Sequence, residues 1–481
     1  MQLNHKRNIL KRKFKKFAML FFASKVSACG GGLSSNYTNE AQSLLNEISG
    51  TNAADTLRGS QENDIVWALD GDDSIFTYSG TDTIYAGTGS NVVYAGPGDD
   101  SIYVSSLYDI VDGGTGNDTA IFVGLLSGLP LEIDLAERQY TQLGILSSQS
   151  GELIAIENVD ISGTQPVSVI GSTENNIIRT GGGDDIIKTG LGENSVESSG
   201  GDDNVYVSGL AAEISLGTGN DQLIIDTLPI GNLDGGDGTD SLVIFEIDNA
   251  TDQMSIDLSN RRIIADSEHL AVNLVNFENV NYSGNLKVNL IGDGFSNSLI
   301  GGDASDIISG MGGVDTLRGG KGSDTFVFRS EDYLGKFGHP DIIEDFEFGA
   351  SADTMQFTGE WNLSTTASNV QFFNLNQVGV KTLHDTSAVL VLTGAKILNL
   401  SGSPLKTLNS EYGIQLGGNA RLMDHDFLCL TTQEGDDYAR VSVLHYDRET
   451  TSFVSNNLVA QLNEIDNTQF DQIVSENFNI A

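Results

Sequence analysis

The sequence predicts an all-β protein: a solenoid of stacked nine-residue units, widened by spacer coils and closed by a small C-terminal α+β cap domain. Three observations carry that reading. From residue 50 to 121 the chain runs through eight nine-residue units whose sixth place holds Asp55, Asp64, Asp73, Asp82, Asn91, Asp100, Asp109 and Asp118. Their eighth place holds Leu57, Val66, Ile75, Ile84, Val93, Ile102, Val111 and Ala120. The same beat returns in two later blocks. A side-chain oxygen and an apolar group at a fixed period describe a stack, the apolar column filling its interior and the oxygen column lining its Gly-rich turns.

The second block starts at Gly171, with Asn176, Asp185, Asn194, Asp203, Ala212 and Asp221 over Ile178, Ile187, Val196, Val205, Ile214 and Leu223. One extra residue, Ile225, breaks the phase before two more units place Gly231 and Asp240 over Leu233 and Leu242. The third block starts at Gly292, with Asn297, Asp306, Asp315 and Asp324 over Leu299, Ile308, Leu317 and Phe326. Of the 20 units only those with Ala212 and Gly231 lack Asp or Asn at the sixth place, a phase that random Gly/Asp-rich low complexity would not hold.

A longer repeat lies over the short one. Gly113-Gly114-Thr115-Gly116-Asn117-Asp118 matches Gly235-Gly236-Asp237-Gly238-Thr239-Asp240, and Ile156-Glu157-Asn158-Val159 matches Phe277-Glu278-Asn279-Val280. The chain therefore divides into a leader and linker (1–49), a first ladder (50–121), a spacer (122–170), a second ladder (171–243), a spacer (244–291), a third ladder with the segment after it (292–357) and a C-terminal domain (358–481). The sheet is expected to continue through the spacers, since each ladder end would otherwise be an uncovered edge. In the C-terminal domain, 426–432 and 439–446 read as a hairpin turning at 434–437. A helix is expected over 457–473, with Leu458, Val459, Leu462, Ile465 and Phe470 on its apolar face.

The 481 residues carry 66 acids against 25 bases, a net charge of -41, with 56 Gly and 6 Pro. That balance excludes a phosphate-binding surface and hence nucleic acid, and it points to divalent cations as partners. Two cysteines, Cys29 and Cys429, make no disulfide framework. The first 28 residues hold eight bases and no acid; a short apolar run, 17–23, follows the basic stretch and leads to Val26-Ser27-Ala28-Cys29. This resembles a bacterial lipoprotein signal with Cys29 as the lipidated residue, a possible membrane attachment. The apolar run is too short to span a bilayer.

The unit Gly319-Gly320-Lys321-Gly322-Ser323-Asp324-Thr325-Phe326-Val327 shows how a cation could be held. Glycines at the first, second and fourth places permit positive φ, so the turn can aim carbonyls at one point, and Asp324 adds a carboxylate. Two units make a coil, so turns on one side recur every eighteen residues and an ion between them can draw on both. Oxygen ligands without thiols or imidazoles select Ca²⁺ over Zn²⁺ or Cu²⁺. The alternative is a metal-free column satisfying turn amides. Glu157 and Glu278 read as strand-end or turn groups, and His269, His339, His384, His425 and His445 as incidental.

These units resemble the GGxGxDxUx nonapeptides of hemolysin-type RTX calcium-binding repeat proteins, which form a parallel β-roll. The resemblance covers about residues 50–357. It implies several Ca²⁺ ions between units n and n+2, pairing Asp82 with Asp100, Asp100 with Asp118, Asp185 with Asp203, Asp203 with Asp221, and Asp306 with Asp324. Carbonyls near Gly80, Gly98, Gly116, Gly183, Gly201, Gly219 and Gly322 would complete these sites, and Asp240 and Asp315 are further candidate ligands. Units with Glu62, Leu107, Glu174 or Leu210 at the fourth place lose the tight turn. The segment 341–346 resembles the stretch that packs on the last coil of such rolls. Residues 457–481 resemble a type I secretion region, an export route alternative to a lipid on Cys29.

No His-Glu-x-x-His, Gly-x-Ser-x-Gly or Walker string occurs, so a catalytic role is not expected. The sequence reads as an extracellular, secreted or surface-bound bacterial protein that folds on Ca²⁺ and serves a structural or adhesive role. Two alternatives are an adhesin that recognises carbohydrate or protein through its C-terminal domain, and a surface-layer or matrix component.

Overall fold

The computed structural model describes residues 46–358 except 126–127, 144–149, 228–230, 246–252, 266–267, 330–331, 333–339 and 348–351. Beyond them it describes the strands 370–374, 381–383, 389–393, 414–416, 425–432, 438–447, 452–463 and 478–480. The leader and Cys29 lie outside the described residues.

The ladders are built from one short strand, repeated. Thr56–Arg58 and Ser74–Phe76 are three residues each, with only the middle side chain buried. That middle residue is the eighth of its unit. Strands pair in parallel with the strand eighteen residues on, so Leu57, Ile75, Val93 and Val111 stack in one sheet and Val66, Ile84, Ile102 and Ala120 in the other. Apart from Leu57 these side chains are wholly buried. A coil this small buries little surface alone, so the column stabilises the fold only as a stack. The ninth residues face outward and also stack: Trp67 lies 3.8 Å from Tyr85, and Tyr85 lies 4.3 Å from Tyr103.

The sheets do run on through both spacers. In the first, Thr119–Phe122 pairs in parallel with Asn158–Ile161, which pairs with Ile177–Arg179. On the opposite sheet three strands enter: Gly151–Ile154 beside Ile110–Thr115, then antiparallel Gln139–Gln142, then Leu131–Asp134, which hands on to Val167–Ile170. The second spacer does the same in the other sheet, with Glu268–Val275, Arg262–Ala265 and Gln253–Asp257 set between Gly231–Asp234 and Lys287–Ile291. Each spacer is thus an antiparallel meander in one sheet rather than a set of wider parallel coils.

The C-terminal reading needs correction. The expected hairpin forms, with His425–Thr432 antiparallel to Tyr438–Asp447 and Asp426 opposite His445. The expected helix does not: Ser452–Asn463 is a strand, while 464–473 lies outside the described residues. This strand is antiparallel to Tyr438–Asp447 and parallel to Asp341–Ile343, and Phe478–Ile480 is parallel to Thr354–Thr358. Val459, Ala460 and Leu462 are buried. Cross-strand pairing overrode the helical spacing of Leu458, Val459 and Leu462. All described elements of this region are strands: most prolong the roll's sheets, Lys381–Leu383 and Ile414–Leu416 pair with each other in a sheet of their own, and an α+β cap is not what they form.

Candidate metal sites in the turns

Each turn ends on the sixth residue, and that side chain points inward. Asp82, Asp100, Asp118, Asp185, Asp203, Asp221, Asp240, Asp306, Asp315 and Asp324 are all at most 1% exposed. Their first oxygen has one job. Asp82 Oδ1 accepts the amide of Asp64, Asp100 Oδ1 that of Asp82 and Asp118 Oδ1 that of Asp100, at 2.7–2.8 Å. The second ladder repeats this through Asp185, Asp203, Asp221 and Asp240, and the third joins Asp306 to Asp324. The paired aspartates of the sequence reading are therefore neighbours in one column. The turn glycines form a second column: a Cβ on Gly98 would collide with the carbonyl oxygen of Gly80, one on Gly116 with that of Gly98, and Gly201 and Gly219 sit likewise over Gly183 and Gly201. Gly322 sits over the carbonyl of Ala304.

The second carboxylate oxygen divides the turns into two kinds. In the turns ending at Asp73, Asp82, Asp100, Asp118, Asp203, Asp221, Asp240 and Asp315 the second and fourth residues both have positive φ, for example Gly96 at 110° and Gly98 at 139°. In all of these Oδ2 is buried with no hydrogen-bond partner. In the turns ending at Asp55, Asp64 and Asp306 the second residue lacks that reversal, and its amide donates to Oδ2 at 2.6–2.8 Å. Asn176 and Asn297 are capped in the same way. Asp306 thus sits among the capped turns, as does the Glu62 turn. Three turns fall outside this division: Asp109 and Asp185 leave Oδ2 bare without the paired reversal, and the Asp324 turn has the reversal, at Gly320 and Gly322, without leaving a bare Oδ2. Leu69, Tyr78, Ser199 and Met311 adopt φ of 66–79° at the second place, a strained conformation for such side chains.

A bare, buried carboxylate oxygen is costly. Burial, reinforced by the carboxylates of Asp82, Asp118 and Asp99, pushes Asp100 up to about 7. Burial likewise raises Asp203 and Asp324 to about 7 and Asp118 and Asp240 to about 6. Asp315 is pushed well above the usual carboxylate range by burial and by Asp341 beside it. An oxygen site that would rather be protonated than bare also fits a hard cation. Among the described residues no three acidic, imidazole or thiol side chains converge, so such a cation would be held by one or two carboxylates and by turn carbonyls, a donor set suited to Ca²⁺.

The sequence reading missed a second oxygen column at the fifth place. Asp72, Asp99, Asp184 and Asp202 are exposed and reach forward, each Oδ1 accepting the fifth-place amide eighteen residues on at 2.8–3.0 Å. Asn63 and Asn175 do the same. The signal was present, since this place is small and polar in most units. After the third ladder the repeat is continued by other carboxylates: Asp341 and Asp353 accept the amides of Asp315 and Asp324, and Asp345 accepts those of Gly319 and Gly320.

Compared with known families, the chain matches the RTX calcium-binding nonapeptide repeat in four copies, at residues 49–83, 76–106, 170–205 and 291–326. The matches fall in all three ladders, and the chain carries hemolysin-type RTX repeats, which are calcium-binding. No curated protein matches the chain.

Proposed function

We propose that this RTX-repeat chain is an extracellular, non-catalytic structural or adhesive protein whose roll folds on binding several Ca²⁺ ions. The observation that carries the reading is the row of buried Oδ2 atoms at Asp82, Asp100, Asp118, Asp203, Asp221 and Asp240 with nothing to accept. Those carboxylates, with the carbonyls of the glycine column, are the residues that would hold the ions. Bound calcium would supply the positive charge these oxygens lack. Without it, stacked carboxylates repel one another and Gly-rich turns gain entropy by opening. Cation binding would then be folding free energy. Extracellular sites of this kind work at about 10⁻⁴–10⁻³ M, which suits a chain that folds outside the cell. Circular dichroism during a Ca²⁺ titration tests this: β signal should rise cooperatively by millimolar Ca²⁺, and a roll already ordered in chelator and unchanged by the ion rejects it.

A further inference from the structure

At the end of the first ladder the eighteen-residue step fails, because the place due after Asp118 falls on Ala136. Glu157 takes that place. Its Oε2 accepts the Asp118 amide at 2.9 Å, as the next aspartate of the column would, while the amides of Glu157 and Asn158 donate to the Asp118 carbonyl at 3.2 and 2.9 Å. The end of the second ladder repeats the arrangement. Leu258 stands where the next aspartate is due, and Glu278 Oε2 accepts the Asp240 amide at 2.7 Å, with Glu278 and Asn279 donating to its carbonyl at 3.1 and 2.9 Å.

The backbone before each glutamate is also a shortened turn. Ala155 and Asn276 have positive φ, 49° and 56°. Within a ladder, the carbonyl of each unit's first residue stands over the first glycine of the unit below, as Gly310 does over Gly292. At the joints the carbonyls of Ala155 and Asn276 stand over Gly113 and Gly235 in the same way, and Asp118 Oδ2 and Asp240 Oδ2 turn toward the same two glycines. Both aspartates are fully buried and both Oδ2 atoms lack a partner. Three residues thus reproduce the carbonyl and the carboxylate that a full turn presents.

We propose that Glu157 and Glu278 are cation ligands, each closing a terminal calcium site with the carbonyl of Ala155 or Asn276 and the turn that ends at Asp118 or Asp240. The inference rests on the calcium reading above and extends it to the joints, where the nonapeptide is absent. Glutamate serves there because its longer side chain spans the gap left by a turn three residues shorter. Proximity of the paired acids is reflected in Asp118 and Asp240, whose carboxyls are raised by burial and further by Glu157 and Glu278.

Crystals of the full chain grown in Ca²⁺, with anomalous data, test this. Anomalous peaks beside both Glu157 and Glu278 are expected. Peaks in the ladder turns with none at the joints overturn this inference alone, and peaks nowhere overturn it together with the calcium reading. In solution, E157Q/E278Q keeps an oxygen for each aspartate amide and removes the charge. By equilibrium dialysis it should bind two ions fewer than the unaltered chain, and equal stoichiometry and affinity overturn the proposal.

Discussion

Asp100 Oδ1 accepts the amide of Asp82 at 2.7 Å, and Asp100 Oδ2, equally buried, accepts nothing. Asp64 differs: its Oδ2 receives the Ser60 amide at 2.7 Å and its Oδ1 the Ser60 hydroxyl at 3.2 Å. The two residues occupy the same place in the repeat, and between these two turns the positive φ of Gly96 and Gly98 accompanies the spare oxygen.

Asp100→Asn and Asp64→Asn should therefore behave differently. Asn at 100 keeps an oxygen for the Asp82 amide and removes a buried charge. In chelator the variant should be more stable than the unaltered chain, while its Ca²⁺ midpoint for folding should rise about tenfold, equivalent to ~1.4 kcal/mol. Asn at 64 should leave the Ca²⁺ midpoint unchanged. Parallel denaturant and Ca²⁺ titrations by circular dichroism check both. A higher midpoint for the change at 64 than at 100 would contradict the division of the turns.

The pH dependence without metal has a definite sign. Asp100, Asp203 and Asp324 are held at about 7 in the folded roll, against an unfolded value of about 3.9. Between those values the folded state binds more protons than the unfolded one, so stability must fall as pH rises. In EDTA the melting temperature should drop steadily from about pH 4 to about pH 7. In millimolar Ca²⁺ the trend should flatten or reverse, because the ion takes the place of the protons. Thermal melts across that range decide it, and a melting temperature that climbs with pH in EDTA would be the wrong sign.

Much of the roll was legible because its contacts are periodic. The columns through Asp100 and Ile102 recur every eighteen residues, so one-dimensional phase carries three-dimensional neighbourhood. What escaped is non-periodic. The match of Ile156-Glu157-Asn158 to Phe277-Glu278-Asn279 was visible in the sequence, but its meaning depends on Glu157 meeting a residue 39 positions away. The difference between the Asp64 and Asp100 turns lies in backbone sign, which Glu62 hinted at for the first turn and which the two glycines before Asp306 concealed. Residues 457–463 fit helical spacing as well as a strand, and only the pairing of Ala460 with Asp341 and Val441 separates the two.

Two glycines separate the demands of stacking from those of backbone freedom. Gly98 has φ 139° and a Cβ there would strike the Gly80 carbonyl, whereas Gly124 has φ 70° with open space around it. Gly124→Ala should cost about 1 kcal/mol for the left-handed backbone alone. Gly98→Ala must also push apart two coils and should cost at least ~3 kcal/mol. Denaturant midpoints in saturating Ca²⁺ measure both, and equal losses would mean that the turns do not stack as closely as the Gly80 and Gly98 backbones place them.

The last coil of the roll depends on strands far along the chain. Ile343 and Phe357 are fully buried, and their strands pair with Ser452–Asn463 and Phe478–Ile480 respectively. Ending the chain at residue 451 would remove both partners and leave the edges of Asp341–Ile343 and Thr354–Thr358 unpaired. A flat edge beside apolar side chains is a template for another chain. The truncated protein should still show the Ca²⁺-dependent gain of β structure, since the ladders are untouched, but it should self-associate with rising concentration. Sedimentation velocity in Ca²⁺ distinguishes the outcomes. A truncated chain that remains monomeric at the concentrations where the full chain is monomeric would show that these late strands do not protect the end of the roll.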